Sequence, residues 1–251
     1  MLRMGPSRYQ PRVARVLKAI SHPRLAQASV AGGWFLEPRA FFLRAGQKPE
    51  PRSEQYGTDM FEEYTFTLAS ASPRRRELLK GLDIVFTVEP GKDEKEAFDP
   101  GLPHTEIPAF LARHKSETFH RALAPKEVLI TADTLVFLDE QILGKPHDRE
   151  EAVAMLRALS GRTHTVTTGV ALRTQERMHS FSVTTEVDFK QLTDSEIDYY
   201  VDTYKPFDKA GAYGIQEWIG YVGITGIRGS YFNVMGLPVQ RLYTELCGFL
   251  C

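Results

Sequence analysis

Several residue types that build common functional sites are scarce in this chain of 251 residues. Only two cysteines occur, Cys247 and Cys251, at the end of the chain and without CxxC spacing, so neither a disulfide framework nor a zinc site is supported. Such a low cysteine content favours the reducing cytoplasm. The seven histidines are scattered without an HExxH motif, and the sequence lacks the GxxxxGK(S/T) loop of P-loop proteins.

Long apolar runs and a strong net charge are also missing. No stretch of about 18 consecutive apolar residues occurs, so the sequence predicts no membrane span. The formal net charge is −1, which gives no general attraction to nucleic acid or to an acidic membrane surface. We therefore expect no nucleic-acid partner and no membrane partner. The oligomeric state is open, a homodimer included.

Positive charge is concentrated at the start of the chain. Residues 1–50 hold nine Lys or Arg and two Glu, a charge of +7 against −8 for the rest. Residues 1–59 also lack periodicity and contain six prolines, which predicts a basic, disordered extension ahead of one domain at 60–251. A transit peptide is similar in composition but richer in serine, so we favour translated sequence upstream of a natural start at Met60. A nucleic-acid-binding module is a weaker hypothesis still, because residues 1–59 lack aromatic residues interleaved with the basic ones on a recognisable fold.

From Phe61 onward, hydrophobic periodicity and capping residues predict strands that alternate with helices. Strands are predicted at 65–70, 84–88, 128–138, 163–172 and 179–189. Helices are predicted to begin after Ser72, Thr105, Asp148, Thr193 and Pro238. Alternation with one antiparallel pair, 163–172 with 179–189, indicates a mixed α/β sheet.

One acid, Asp133, stands inside an apolar run. The residues around it, ITADTLVFL, are typical of a buried strand near the centre of a sheet. Burying a carboxylate costs free energy unless it is paired or holds a metal ion. Asp133 is therefore either half of a structural ion pair or part of a functional site.

The segment SASPRRRELL runs from a strand into the N-terminus of a helix. Free backbone N–H groups and the helix dipole favour an anion there. Ser70 and Ser72 add hydroxyl donors, and Arg74 and Arg75 add guanidinium groups suited to phosphate oxygens. The alternative is an ordinary helix with a solvated basic first turn.

Four further residues are candidates, and each has a plainer alternative. Lys145 lies in a GKP turn, where a lysine is usually exposed. Lys115 lies on the helix face beside Leu111 and Phe119, so its side chain either extends along that face to solvent or reaches into a cleft. Glu94 lies in KDEKE, a charge run typical of a solvated loop. Gln216 ends the glycine-punctuated stretch DKAGAYGIQ; its amide both donates and accepts, which suits the edge of a nucleobase or the protein surface.

Five segments, in the family's order, resemble the Maf family of nucleoside triphosphate pyrophosphatases. They are SASPRRRELL, ITADTLV, ILGKPHDREEAVAMLRALSGRTHTVTTGVAL, DKAGAYGIQ and GSYFNVMGLPVQRL, which lie within residues 64–246. The resemblance implies metal-dependent hydrolysis, with Mg²⁺ or Mn²⁺, of a nucleotide to its monophosphate and pyrophosphate. It also implies an α/β fold of the inosine triphosphatase type, a two-lobed mixed β-sheet with flanking helices and a central cleft.

The resemblance carries roles onto individual positions. It implies that Asp133 is the proton acceptor, with Glu94, Lys115 and Lys145 as further catalytic residues. Glu94 and Asp133 are the implied metal ligands, and Asp93 is an alternative to Glu94 in that loop. The implied substrate-binding residues are Ser70, Arg74, Arg75, Thr134 and Gln216.

Base choice in the family is linked to the positions of Arg74, Thr134 and Gln216. A glutamine after isoleucine resembles the branch that acts on dTTP and UTP, with modified pyrimidine nucleotides as a further class, rather than the branch that acts on 7-methyl-GTP. Glu217 and Trp218 depart from many relatives, which have a smaller residue here. A second hypothesis is a non-catalytic nucleotide-binding regulator of cell division and septum formation. The complete set of acid, lysines and arginines favours the enzyme.

Overall fold

The computed structural model of the chain describes residues 61–91, 98 and 101–251. The predictions for residues 1–59, and for Asp93 and Glu94, lie outside the described residues. Among the described helices, none combines the length and the apolar character needed to cross a membrane.

Seven strands of the described residues form a single sheet at the centre of the fold. They are β1 (Thr65–Leu68), β2 (Phe86–Val88), β3 (Glu127–Leu138), β4 (Gln141–Leu143), β5 (Thr163–Arg173), β6 (Met178–Phe189) and β7 (Ile224–Arg228). The strand order is β2-β1-β3-β5-β6-β7, with β4 paired to the end of β3. Strands β1, β2 and β3 are parallel, and the other pairs are antiparallel. The predicted mixed α/β fold is confirmed.

The sequence predicted one antiparallel pair of strands, but four antiparallel pairs occur among the described strands. The short hairpin from β3 to β4 reverses the chain. The chain then returns through a helix and enters β5 antiparallel to β3. Strand–helix alternation alone does not reveal such a reversal, because it is equally typical of parallel crossovers.

Seven helices flank the sheet in the described part of the chain. They are α1 (Pro73–Lys80), α2 (Ile107–Glu117), α3 (Arg149–Leu159), α4 (Asp194–Tyr204), α5 (Trp218–Gly223), α6 (Tyr231–Met235) and α7 (Val239–Leu250). A short 3-10 turn at Ala210–Ala212 precedes α5.

Helices α1, α3 and α4 begin at the capping residues that the sequence predicts, whereas α2 begins after Glu106, one residue beyond the predicted Thr105, and has no side-chain cap. The Ser72 hydroxyl accepts from the backbone N–H at the third position of α1, and Thr193 forms a complete capping box on α4. Helix α3 has a side-chain cap but not a complete capping box. Asp148 caps the helix, but the Glu151 carboxylate accepts from the N–H of His147, 2.7 Å away, instead of returning to Asp148.

Strand β3 passes through two hydrophobic cores and so joins two lobes. Its first half, including Ile130, packs with α1 and α7. Its second half, including Val136, packs with α3 and α4. Burial falls only at Asp133–Leu135, between the two halves. Asp133 lies in the middle of β3, where the lobes meet.

Candidate active site

A cleft of about 430 Å³ opens at the junction of the two lobes. Every described residue that was predicted for the site lines this cleft: Ser70, Arg74, Arg75, Lys115, Asp133, Thr134, Lys145 and Gln216. They come from the end of β1, from α1, α2 and β3, and from the segments that follow β4 and the 3-10 turn. Glu94 lies outside the described residues.

The floor of the cleft carries an ion pair. The Lys115 ammonium donates to Oδ1 of Asp133, and the two side chains are 26% and 16% exposed. Asp133 is paired in register with Gly169 on β5. A Cβ atom at Gly169 would lie 2.1 Å from the backbone nitrogen of Ala109, so only glycine lets α2 lie this close to the sheet. That close approach brings Lys115 to Asp133.

Arg75 is bound to the protein on three sides. Its guanidinium donates to the carbonyl oxygens of Gly236 and Ala132, both at 2.8 Å, and to Oγ1 of Thr134 at 3.0 Å. Burial lowers the pKa of Arg75 from its usual value, and the charge of Asp133 opposes that shift. Arg75 therefore braces α1 against β3 and the turn at Gly236. Its implied contact with substrate stays a prediction.

Arg74 and Lys145 are the more accessible cations. Arg74 contacts Asp208 at 3.1 Å, and that carboxylate is 60% exposed. Such an exposed pair is weak, so an anion can take the place of Asp208. Lys145 is exposed and forms no ion pair with any residue that the structure describes.

The N-terminus of α1 offers fewer free donors than its sequence predicts. The N–H of Arg75 points to the Ser72 hydroxyl at 3.5 Å, and the N–H of Arg76 points to the Ser72 carbonyl at 3.3 Å. The first helical residue is a proline and has no N–H. The Ser70 hydroxyl accepts from the N–H of Ser72 at 3.2 Å, which leaves its own proton free for an anion. Anion binding here therefore depends on the N–H of Arg74 and on hydroxyl groups.

Buried polar groups support the floor from below. Thr134 and Thr168 share a hydrogen bond of 3.0 Å between their hydroxyls, and Thr168 donates to the carbonyl of Asn233 on α6, also at 3.0 Å. The Asn233 amide donates to the carbonyl of Val166 at 3.0 Å. These bonds hold α6 beneath the cleft, which accounts for the glycine-bounded GSYFNVMGLP segment.

The other wall is the loop that carries Gln216. Behind this loop, the Tyr213 hydroxyl lies 2.7 Å from Nε2 of His164. Burial lowers the pKa of His164 to about 4, so the ring is neutral at pH 7. Gln216 itself is half-buried and faces the cleft, which excludes a purely surface position.

Two cleft residues, Asp208 and Lys209, begin the DKAGAYGIQ segment but were not assigned to the site from the sequence. Lys209 is only 7% exposed. Its ammonium lies 2.7 Å from Asp208 and 3.1 Å from Glu217. Tyr200, which contacts the same loop, looks like an ordinary core aromatic in the sequence. The one available signal was a lysine directly before a glycine-rich turn.

A metal ion would find a limited donor set among the described residues. No group of three or more His, Cys, Asp or Glu that could hold an ion occurs among them. Asp133 places a carboxylate on the cleft floor with one oxygen on Lys115. Mg²⁺ is often held by one or two carboxylates together with substrate phosphates. The residues present therefore fit an ion that is shared with a bound triphosphate.

Comparison with known proteins agrees with the sequence motifs. Residues 65–249 match the family described as Maf-like protein. A dTTP/UTP pyrophosphatase from Phocaeicola vulgatus is 55% identical over 185 residues, 74% of this chain and 96% of that protein. One from Porphyromonas gingivalis is 51% identical over 193 residues, 76% and 97% of the two chains. A solved HAM1 protein from Coxiella burnetii gives a TM-score of 0.39 at 17% identity, covering 74% of this chain and 99% of that one. Likeness at that level says nothing about activity.

Proposed function

Because the chain belongs to the family of Maf-like proteins, we propose that it is a nucleoside triphosphate pyrophosphatase that acts on dTTP and UTP. The names of its relatives support this proposal. One structural observation carries it: Asp133 and Lys115 form an ion pair on the floor of a cleft that is also lined by Arg74 and Lys145. Such a site combines a base with the cations that a triphosphate requires.

Asp133 is the residue that handles the attacking water. One carboxylate oxygen is held by Lys115, which fixes the orientation of the group. The other oxygen orients the water or takes its proton. The water oxygen then bonds to the α-phosphorus, and the bond from that phosphorus to the bridging oxygen breaks. Pyrophosphate leaves with the bridging oxygen.

The cations stabilise charge as it moves onto the leaving pyrophosphate. Phosphoryl transfer depends mainly on positioning and charge neutralisation. Lys145 is exposed at the edge of the cleft, and Arg74 can exchange Asp208 for a phosphate oxygen. The hydroxyl of Ser70 adds a donor at the start of α1. These groups act on charge that grows in the transition state.

A bound Mg²⁺ or Mn²⁺ ion would neutralise phosphate charge and favour the leaving group. Asp133 is its proposed ligand, and Glu94, outside the described residues, is the second. Asp93 stays an alternative to Glu94. We place the reaction in the cytoplasm, as removal of unwanted nucleotides from the pool. The homodimer stays a prediction.

Gln216 is the proposed reader of the base. Uracil and thymine present a carbonyl, an imide N–H and a second carbonyl, so a glutamine amide can satisfy one acceptor and one donor. Cytosine replaces a carbonyl with an amine, which leaves a polar group unpaired. Each unpaired group costs about 1–3 kcal/mol, or about a tenfold to hundredfold preference for UTP and dTTP over CTP.

A panel of nucleoside triphosphates with a pyrophosphate readout tests the proposal. We expect UTP and dTTP to be the best substrates, CTP to be poorer, and 7-methyl-GTP and other purines to be poorest. Gln216→Ala should flatten the preference more than it lowers the best rate, because the phosphate-binding groups are elsewhere in the cleft.

Gln240→Ala is the matched control, since Gln240 is an exposed glutamine on α7. It should leave both rate and preference unchanged. Equal efficiency of the unchanged protein on CTP and UTP would show that Gln216 does not read the base. Binding of nucleotide without any release of pyrophosphate would instead favour a regulatory protein.

A further inference from the structure

One buried hydroxyl group, that of Tyr200, contacts residues that precede and follow Gln216 in the sequence. Tyr200 on α4 is fully buried, and its hydroxyl accepts from the N–H of Gly214 at 3.0 Å. The same hydroxyl donates to Oε2 of Glu217. Gly214 and Glu217 are also joined directly, because the N–H of Glu217 donates to the carbonyl of Gly214 at 3.0 Å. Gln216 therefore lies inside a small turn that Tyr200 closes from below.

Glu217 ties the same turn to the wall of the cleft. Its second oxygen lies 3.1 Å from the Lys209 ammonium, which also contacts Asp208 at 2.7 Å. Burial, and then the hydrogen bond to Glu217, raise the pKa of Tyr200, so the phenol stays a neutral donor. Both oxygens of Glu217 are thus engaged, and neither faces the base as a free charge.

The space around the Gln216 amide is restricted as well. A Cβ atom at Gly214 would lie 3.0 Å from Nε2 of Gln216 and 2.9 Å from the carboxyl carbon of Glu217. The amide nitrogen therefore packs against the bare glycine backbone. A larger residue at position 214 would push the amide or the carboxylate away.

Orientation matters because a glutamine amide is nearly symmetric in shape. Turned by half a rotation, it exchanges its donor and its acceptor. The turned form would suit the amine edge of cytosine as well as the first form suits uracil. A loosely held Gln216 would therefore bind both bases, and selectivity requires the amide to be held in one orientation.

We propose that Tyr200 and Glu217 are positioning residues that hold the Gln216 amide in one orientation and so set the preference for uracil and thymine over cytosine. The inference rests on the proposed function, in which Gln216 reads the base. Among the described residues, the Tyr200 hydroxyl hydrogen-bonds only Gly214 and Glu217 and not Asp133, Arg74 or Lys145, so it controls base choice with little effect on turnover. It also gives Glu217 a definite role.

Tyr200→Phe in the full chain tests the inference, with Tyr204→Phe as its control. Tyr204 lies one turn further along α4 and stacks on Tyr200, but its hydroxyl has no hydrogen bond to any described residue. Both changes remove one phenol oxygen from the same helix. kcat and KM are measured separately for UTP and CTP, and the binding of each nucleotide is measured by calorimetry.

We expect Tyr200→Phe to reduce the UTP-to-CTP ratio of kcat/KM by about tenfold, the effect of one lost hydrogen bond that orients a buried group. The change should come from KM, with kcat for UTP within about threefold of the unchanged protein. Tyr204→Phe should keep the original ratio. A folded Tyr200→Phe protein that keeps the original ratio overturns the inference.

Glu217→Gln provides an independent variant if Tyr200→Phe does not fold. Its amide can still accept from Tyr200 but loses the charge that attracts Lys209, so a smaller fall in the ratio is expected. An unchanged ratio in Glu217→Gln also overturns the inference. A protein that binds nucleotides without hydrolysing them would contradict the proposed function, while the calorimetric UTP-to-CTP ratio would still test Tyr200.

Discussion

Among single residues, Asp133 has the most demanding position, because it lies half-buried where β3 leaves one core and enters the other. Asp133→Asn keeps the shape of the side chain but removes the negative charge and the base. We expect turnover on UTP to fall by about 10²–10⁴-fold, the usual effect of losing an acid–base group. Steady-state kinetics at saturating Mg²⁺ would measure it.

The matched control is Asp139→Asn, at the hairpin that follows the same strand. Asp139 is 72% exposed and pairs with Arg162 on the surface, so this change should leave turnover unaffected. If Asp133→Asn kept more than about a tenth of the turnover, Asp133 would be a structural acid and not the base.

The sequence predicts which residues form the site better than it predicts the contacts that they make. The sequence and the family resemblance named eight described residues that do line one cleft. The sequence could not show that Arg75 donates hydrogen bonds to the backbone carbonyls of Ala132 and Gly236 while Arg74 stays accessible. Two adjacent arginines look alike in sequence, and only the direction in which each leaves the helix separates them.

At the scale of one element, β3 is anchored by a charged network at its first residue. Glu127 is 4% exposed and accepts from Arg121 at 2.7 and 2.9 Å, from the Thr67 hydroxyl at 2.7 Å and from the N–H of Ala124 at 2.7 Å. The hydrogen bonds from Arg121 are the main reason that the pKa of Glu127 falls to about 2. This network holds β3 to β1 far from the cleft.

The lowered pKa of Glu127 determines the direction in which the stability of the fold changes with pH. The folded pKa is about 2 and the usual value is 4.5, so the stabilisation from Glu127 is complete above about pH 4.5 and is lost as the pH falls towards 2. Glu127→Gln should lower the free energy of unfolding at pH 7 by ~2 kcal/mol. The difference from the unchanged protein should shrink steadily below pH 4.5.

Denaturant titrations at a series of pH values measure that difference. Glu176→Gln, in the exposed turn between β5 and β6, is the control and should have no effect at any pH. A difference that stays constant down to pH 2 would show that Glu127 does not carry this part of the acid sensitivity.

Elements with their own caps were predictable, and elements that depend on tertiary contacts were not. The helices α1, α3 and α4 begin where Ser72, Asp148 and Thr193 predict. Helices α5 and α6 have six and five residues, too few for a hydrophobic period to be recognised. Helix α6 is held by Thr168 and Asn233, a contact between residues far apart in the chain.

For the whole molecule, the start of the described core lies at Phe61. Its ring packs edge-to-face on Phe66 at 5.7 Å and on Tyr243 of α7 at 6.0 Å. A chain that starts at Met60 keeps these contacts. We therefore expect it to fold and to turn over UTP within about threefold of the full chain, as measured by thermal unfolding and kinetics.

A chain that starts at Tyr64 is the matched control. It lacks the buried Phe61 ring, so its free energy of unfolding should be lower by ~2 kcal/mol. It should therefore unfold at a lower temperature. Loss of soluble protein, or a fall in turnover of about tenfold or more, in the chain starting at Met60 would show that residues 1–59 belong to the working domain.

The brace made by Arg75 has a consequence for the order in which the protein is made. Its guanidinium bonds carbonyls 57 and 161 residues further along the chain. At about 5–20 residues per second, a ribosome needs about 10–30 s to make the second partner after the first turn of α1 has been added. Until then the floor of the cleft lacks one of its supports. A nascent chain therefore lacks this support until Gly236 has been made, and a product of premature termination before Gly236 never gains it.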